Sequence, residues 1–184
     1  LLKMKIQNNN KAIFLDRDGT LIKAIKKGKT KYRPPYNLKE FKVFKDIKFL
    51  KYFSKKYFLI ICTNQPDIKR GIQSKKFDHF INEEIKKKIP IKKIFSCNCL
   101  KTEKNCHCYK PKTEMLLKAK KKYKIDLKRS YVIGDTWRDI SLGIKAGCTT
   151  ILVDRGQNEI IMKKKKFKPD FIVKNLKNLK KIIN

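Results

Sequence analysis

Apolar residues in this chain fall in short β-branched and aromatic runs, separated by lysine-rich stretches where apolar positions recur every third or fourth residue. The runs predict strands over Ile13–Asp16, Phe58–Thr63, Lys93–Cys97, Tyr131–Asp135, Thr150–Val153 and Phe171–Val173. The periodic stretches predict helices over Asp46–Lys56, Ser74–Lys88, Thr113–Tyr123, Arg138–Ala146 and Asn175–Ile183. Gly147 stands where the residue closing a helix belongs. Strands that alternate with helices imply an α/β fold, a three-layer sandwich with a mostly parallel sheet and helices on both faces. Runs without polar alternation, such as Leu59-Ile60-Ile61, fit strands buried on both sides.

The 184 residues suffice for one well-buried domain, expected over residues 11–184 behind an N-terminal extension of residues 1–10. Met4 is the expected natural start. The segment between the first two strands holds a short loop and a helix, and no large insert precedes Lys110, so no large cap domain is expected. No stretch reaches the roughly 18 apolar residues of a membrane span, and no signal-peptide core precedes Asn8-Asn9-Asn10. A cytoplasmic protein with no membrane partner is the expectation, and a monomer.

The net charge of +33 raises the question of nucleic acid. The basic residues are almost all lysine and spread along the whole chain, with arginine only at positions 17, 33, 70, 129, 138 and 155. Isoleucine, asparagine and phenylalanine are abundant too, and all four residue types have AT-rich codons. Genome composition therefore accounts for the charge, and nucleic acid is not the expected partner. An anionic small molecule would still be drawn to such a field.

The chemistry gathers at the ends of the predicted strands. The first ends in Asp16-Arg17-Asp18-Gly19-Thr20, two carboxylates one residue apart followed by a glycine that permits a sharp turn. Alone, this could be an acidic turn. The second strand ends in Thr63-Asn64-Gln65-Pro66, a hydroxyl and two amides suited to phosphate oxygens. Lys110-Pro111 follows the third, and the fourth ends in Gly134-Asp135, with Asp139 a helical turn beyond. In open α/β sheets ligands bind outside the carboxyl ends of the strands. Nucleophile, hydroxyl, cation and metal-binding carboxylate on one edge outline a phosphoryl-transfer site.

Cys62 and Cys148 lie in apolar surroundings and read as core residues. Cys97-Asn98-Cys99 and Cys106-His107-Cys108 form two close pairs just before Lys110. Without an export signal these are expected as thiolates, not disulfides. Four thiolates suit a closed structural Zn²⁺ site. His107, between two cysteines, points the opposite way if that segment is extended.

On these motifs, from Lys11 to Glu159, the chain resembles the haloacid-dehalogenase-like hydrolase superfamily, whose fold is Rossmann-like. The resemblance implies a phosphatase with an aspartyl-phosphate intermediate: Asp16 as nucleophile, Asp18 as general acid and base, Thr63 and Lys110 on the phosphoryl oxygens. It further implies Mg²⁺ held by Asp16, the main-chain carbonyl of Asp18 and Asp135, with Asp139 in support. The zinc-pinned loop, Thr63-Asn64-Gln65 with Ile68-Lys69-Arg70-Gly71, and Gly134-Asp135-Thr136-Trp137-Arg138-Asp139 resemble the heptose-bisphosphate and histidinol-phosphate phosphatases. That resemblance implies a small phosphorylated sugar as substrate, touched by Asn64, Gln65, Arg70, Tyr109 and Thr136.

Three positions depart from that subgroup. Cys99 stands where a histidine usually completes the zinc set. Tyr109 occupies the place of a substrate-contacting arginine, and Thr136 replaces a basic residue. Lys23–Lys31 or Arg33 are the candidate replacements for the lost charge. Histidinol phosphate, a 3′-phosphate on a nucleic-acid end, and a zinc-stabilised module without catalysis are the alternatives to a heptose bisphosphate.

Overall fold

The computed structural model describes residues 10–28, 31–156 and 167–183. In chain order the elements are β1 (Ala12–Leu15), β2 (Ile25–Lys27), β3 (Lys31–Arg33), β4 (Phe58–Asn64), α1 (Pro66–Lys69), α2 (Lys75–Lys86) and β5 (Ile91–Cys97). There follow α3 (Glu114–Tyr123), β6 (Tyr131–Gly134), α4 (Trp137–Ala146), β7 (Thr149–Val153) and β8 (Phe171–Val173). Among the described residues there are also three 3₁₀ segments, Lys45–Lys55, Leu127–Arg129 and Leu176–Lys181. All six expected strands are present.

The sheet runs β5-β4-β1-β6-β7-β8 with every pairing parallel. The chain therefore winds outward from β1 in one direction and then returns to wind outward in the other. Such a reversal opens a crevice at the carboxyl ends of the central strands. Leu15 lies opposite both Ile61 and Ile133, so the residues that follow β1, β4 and β6 emerge side by side.

Side-chain alternation builds two cores, one on each face of the sheet. Ile13, Leu15, Leu59, Ile61 and Ile133 join one cluster with Ile47, Leu50, Phe53, Ile81 and Ile85. Ala12, Phe14, Ile60, Cys62 and Val132 join the other with Met115, Leu116, Ala119 and Cys148. Cys62 and Cys148 are thus core residues, and burial pushes both thiols up to about 12.

Two expected helices take 3₁₀ form. In Lys45–Lys55 the buried residues are Ile47, Leu50 and Phe53, and in Leu176–Lys181 they are Leu176 and Leu179. A strict spacing of three lines up on one face of a helix with three residues per turn, whereas it drifts around a 3.6-residue helix. The hairpin β2–β3 was not predicted: Lys26 and Lys27 give it no apolar alternation, and it pairs only over Ile25–Lys27 and Lys31–Arg33.

Asn10 already belongs to the fold, bridging to Ile125 and donating its side-chain amide to the Tyr123 carbonyl at 2.8 Å. The rest of the expected N-terminal extension lies outside the described residues. Arg155 braces the site from behind, donating to the Thr20 carbonyl at 3.1 Å and to Asp46, which also accepts the Leu176 N–H at 2.8 Å. Among the described residues no helix is long and apolar enough to cross a membrane.

Candidate active site

β1 delivers Asp16 to the crevice, its N–H anchored on the Ile133 carbonyl of β6 at 2.9 Å. The chain then reverses through Gly19, whose φ of 98° and N–H bond to the Ile22 carbonyl at 2.8 Å make a tight turn. A side chain there would meet Asp135, with Oδ2 only 2.1 Å from the added Cβ. Gly134 has the matching role at the end of β6, since a Cβ would lie 2.3 Å from Cγ of Asp139. Both glycines exist to let carboxylates approach.

The side chains of Asp16, Asp135 and Asp139 offer oxygens within 4.8 Å of one another, all buried. Lys110 reaches this cluster from the loop after β5, donating to Asp16 Oδ1 at 2.5 Å and Asp139 Oδ1 at 2.6 Å. Asp139 is fixed from its other oxygen by the Thr136 N–H at 3.1 Å and hydroxyl at 2.7 Å. Burial pushes the Asp16 carboxyl up to about 6, against the pull of the Lys110 ammonium. Asp135 is raised well above the carboxylate range, first by burial and then by Asp16 and Asp139. Burial works to lower Lys110, but Asp139 and Asp16 overcome it and hold the ammonium above its usual value. One buried cation among three buried acids leaves negative charge in excess. Oxygen-only donors of this kind fit a hard divalent ion such as Mg²⁺.

Asp18 sits at the lip, 14 % exposed, against the guanidinium of Arg17 at 3.2 Å. Its Oδ2 also accepts from Gln65 Nε2 at 2.5 Å and from the Thr63 hydroxyl at 3.5 Å. Gln65 is fully buried and bonds Thr63 Oγ1 at 2.8 Å, so it sits behind the two residues where a substrate contact was expected. Asn64 borders the cleft, but its side chain is committed to the Lys110 backbone, accepting its N–H at 2.9 Å and donating to its carbonyl at 3.3 Å. Tyr109, Arg70 and Thr136 all line the cleft, which has a volume of about 210 Å³.

Several residues of the site were not singled out from sequence. Arg17 is completely buried and holds Asp78 at 2.6 Å and Asn82 at 2.9 Å, tying the Asp18 turn to α2. Its only sequence signal is its position between the two aspartates. Asp67 and Arg138 line the cleft as well. Of the candidate compensating cations Arg33 lines it, whereas Lys23, Lys26 and Lys27 do not and are exposed; residues 29–30 lie outside the described residues.

The four clustered cysteines converge within 4.8 Å, and His107 is exposed beside them. Cys97 and Cys108 are drawn together as a disulfide pair, against the sequence expectation of four thiolates. The four sulfurs together are also compatible with a bound metal ion. Tetrahedral zinc with bonds of about 2.3 Å sets sulfur–sulfur edges of about 3.8 Å. Cys97–Cys106, Cys106–Cys108 and Cys99–Cys108 measure 3.6, 3.7 and 3.8 Å. A lone disulfide gives Cys99 and Cys106 no reason to join it. Burial opposes ionisation of Cys106, but hydrogen bonds from Cys99 and the Tyr109 and Cys108 backbone lower its thiol. The Tyr109 N–H contact, at 3.3 Å, links this cluster directly to the residue before Lys110.

Residues 107–179 match the HAD-hydrolase-like family model. The chain is 37% identical to the D-glycero-alpha-D-manno-heptose-1,7-bisphosphate 7-phosphatase of Campylobacter jejuni, over 95% of this chain and 94% of that protein. It is 30% identical to the D-glycero-beta-D-manno-heptose-1,7-bisphosphate 7-phosphatase of Helicobacter pylori strain J99, covering 95% and 96%. Among solved structures it is similar to the D,D-heptose 1,7-bisphosphate phosphatase of B. bronchiseptica, solved with magnesium and phosphate. That fold superposes with a TM-score of 0.74 at 20% identity, covering 93% of this chain and 96% of the other.

Proposed function

Because the chain belongs to the D-glycero-manno-heptose-1,7-bisphosphate 7-phosphatase family of haloacid-dehalogenase-like hydrolases, we propose that it removes the 7-phosphate from D-glycero-D-manno-heptose 1,7-bisphosphate through an aspartyl-phosphate. The observation that carries this reading is the convergence of Asp16, Asp18, Thr63, Lys110 and Asp135 on one cleft at the carboxyl edge of the sheet.

In this reading an Asp16 oxygen attacks phosphorus in line, forming the acyl phosphate as the bond to the sugar C7 oxygen breaks. Asp18 gives its proton to that leaving oxygen. It then takes a proton from the water that attacks the acyl phosphate, and inorganic phosphate and free Asp16 result. The Gln65 and Arg17 contacts support this role by fixing Asp18 two residues beyond the nucleophile. Lys110 and the Thr63 hydroxyl are the donors for the transferring oxygens, and Asn64 positions Lys110 through its backbone. Gln65 acts from behind through Thr63 and Asp18, while Arg70, Tyr109 and Thr136 face the sugar end.

Mg²⁺ held by Asp16, the main-chain carbonyl of Asp18 and Asp135, with Asp139 beside them, supplies when bound the charge that lets a carboxylate meet a phosphate. Zn²⁺ on Cys97, Cys99, Cys106 and Cys108 is structural and pins the loop that carries Lys110. Four thiolates require a reducing compartment, which supports a cytoplasmic protein, and one chain supplies every group of the site, which supports a monomer.

The test is phosphate release by metal-loaded protein from both anomers of heptose 1,7-bisphosphate, other sugar phosphates, histidinol phosphate and a 3′-phosphorylated oligonucleotide. A heptose bisphosphate should give the highest kcat/KM, and Asp16→Asn should abolish turnover. A preference for histidinol phosphate or the oligonucleotide would overturn the substrate assignment.

A further inference from the structure

Position 109 carries tyrosine and position 136 threonine, yet the cleft is not short of cations: Arg33, Arg70 and Arg138 all line it. Arg33 and Arg70 belong to one continuous relay. Glu40 takes the Arg33 fork at 2.6 and 2.7 Å and accepts the Tyr36 N–H at 2.9 Å. The Arg33 guanidinium lies 4.2 Å from the centre of the Tyr36 ring. The Tyr36 hydroxyl donates to Asp67 Oδ2 at 2.7 Å, and Asp67 Oδ1 accepts from Arg70 Nη1 at 2.8 Å. Burial and the Asp67 carboxylate push the Tyr36 hydroxyl up to about 12, so it stays a donor.

The two arginines end up differently. Arg33 spends both terminal nitrogens on Glu40, with Nη1 also on the Pro34 carbonyl. Arg70 spends one nitrogen on Asp67, is 47% exposed in its side chain, and its Nε and Nη2 meet no acceptor among the described residues. A guanidinium fixed by a buried carboxylate at one corner and open along one edge is preorganised for bidentate contact with a phosphate.

Resting on the bisphosphatase reading above, we propose that Arg70, positioned by the Tyr36–Asp67 pair, receives the phosphate at the far end of a bisphosphorylated sugar and replaces the cation that position 109 lacks. Arg70 is then the selector for a second phosphate, and Tyr36 and Asp67 are positioning residues. Their sequence neighbourhood gives no hint of this, because the relay joins residues on either side of β4.

The experiment compares kcat/KM for heptose 1,7-bisphosphate with heptose 7-phosphate, and for fructose 1,6-bisphosphate with fructose 6-phosphate. Wild-type protein should favour the bisphosphate of whichever pair it hydrolyses, mainly through KM. Arg70→Gln should cut the bisphosphate-to-monophosphate ratio by about 10- to 100-fold, the scale of a lost charge-assisted bidentate contact. Tyr36→Phe should lower the ratio by a smaller factor with kcat retained, and Arg70→Lys should recover part of it. Equal treatment of both members of a pair by the wild type, or a loss in Arg70→Gln shared by both, overturns the assignment of Arg70. Turnover of the fructose pair alone overturns the heptose reading, and the Arg70 ratio is then judged on that pair. No turnover of all four overturns both.

Discussion

Replacing Gly19 with alanine puts a methyl group where the Asp135 carboxylate now sits. Two costs follow from the geometry. Gly19 holds a φ of 98°, and a left-handed backbone costs an L-residue with a Cβ roughly 1–2 kcal/mol. The new Cβ would also stand 2.1 Å from Oδ2 and 2.6 Å from Cγ of Asp135. Relief requires the carboxylate or the turn to retreat by about an ångström, and overpacking of that kind adds roughly 1–3 kcal/mol. Stability should fall by a few kcal/mol, but the chemistry should suffer more. Asp135 is a proposed Mg²⁺ ligand, and a misplacement of about 1 Å in a catalytic constellation costs about a hundredfold in rate. Urea unfolding gives the stability change, and kcat at saturating Mg²⁺ gives the catalytic one. Gly147→Ala is the control: its φ is 73°, nothing lies within 4 Å of the added Cβ, and it closes α4 at the end away from the cleft. That variant should lose stability and keep kcat. A Gly19→Ala protein with undiminished kcat, or a Gly147→Ala protein equally impaired, would show that the close approach of Asp135 to Gly19 does not control catalysis.

Three further outcomes are expected. The Asp16 carboxyl is raised from 3.8 to about 6, so the native metal-free protein binds more protons than the unfolded chain and loses stability as pH rises across that interval. Mg²⁺ competes with that proton, so the rise in Tm on adding Mg²⁺ should be larger at pH 8 than at pH 5, and an equal rise at both would contradict it. Purified protein should contain one zinc per chain by elemental analysis, and Cys106→Ser should lower both zinc content and Tm; full-length protein without zinc and with a Cys97–Cys108 disulfide would count against the metal. Asn64→Ala removes two hydrogen bonds to the Lys110 backbone and should cost about 1–3 kcal/mol of stability. Its kcat should drop about tenfold or more while KM for the substrate changes little, and the reverse split would make Asn64 a substrate contact.

Much of the frame was legible because it follows from local pattern. The runs at Ala12–Leu15 and Phe58–Asn64 are buried on both faces, and continuous apolar residues mark such strands directly. The acids at 16, 18, 135 and 139 could be placed because strand ends in a parallel sheet share an edge. What sequence hid is long-range pairing. Arg17 meets Asp78 across 61 positions, and Tyr36 meets Asp67 across 31, with no periodicity to announce either. Gln65 looked like a phosphate ligand by its neighbours, yet it points inward because Asp18 and Thr63 offer it partners there. The 3₁₀ form of Lys45–Lys55 was readable in principle from the spacing of Ile47, Leu50 and Phe53, which a general helical period blurs.

The most direct test of the proposed 7-phosphatase activity is to follow heptose 1,7-bisphosphate by ³¹P NMR with the Mg²⁺-loaded protein, alongside Asp16→Asn. The C7 phosphate resonance should disappear as inorganic phosphate grows, the C1 phosphate should persist, and the variant should leave both untouched. Loss of the C1 phosphate first, or undiminished turnover in Asp16→Asn, would contradict it.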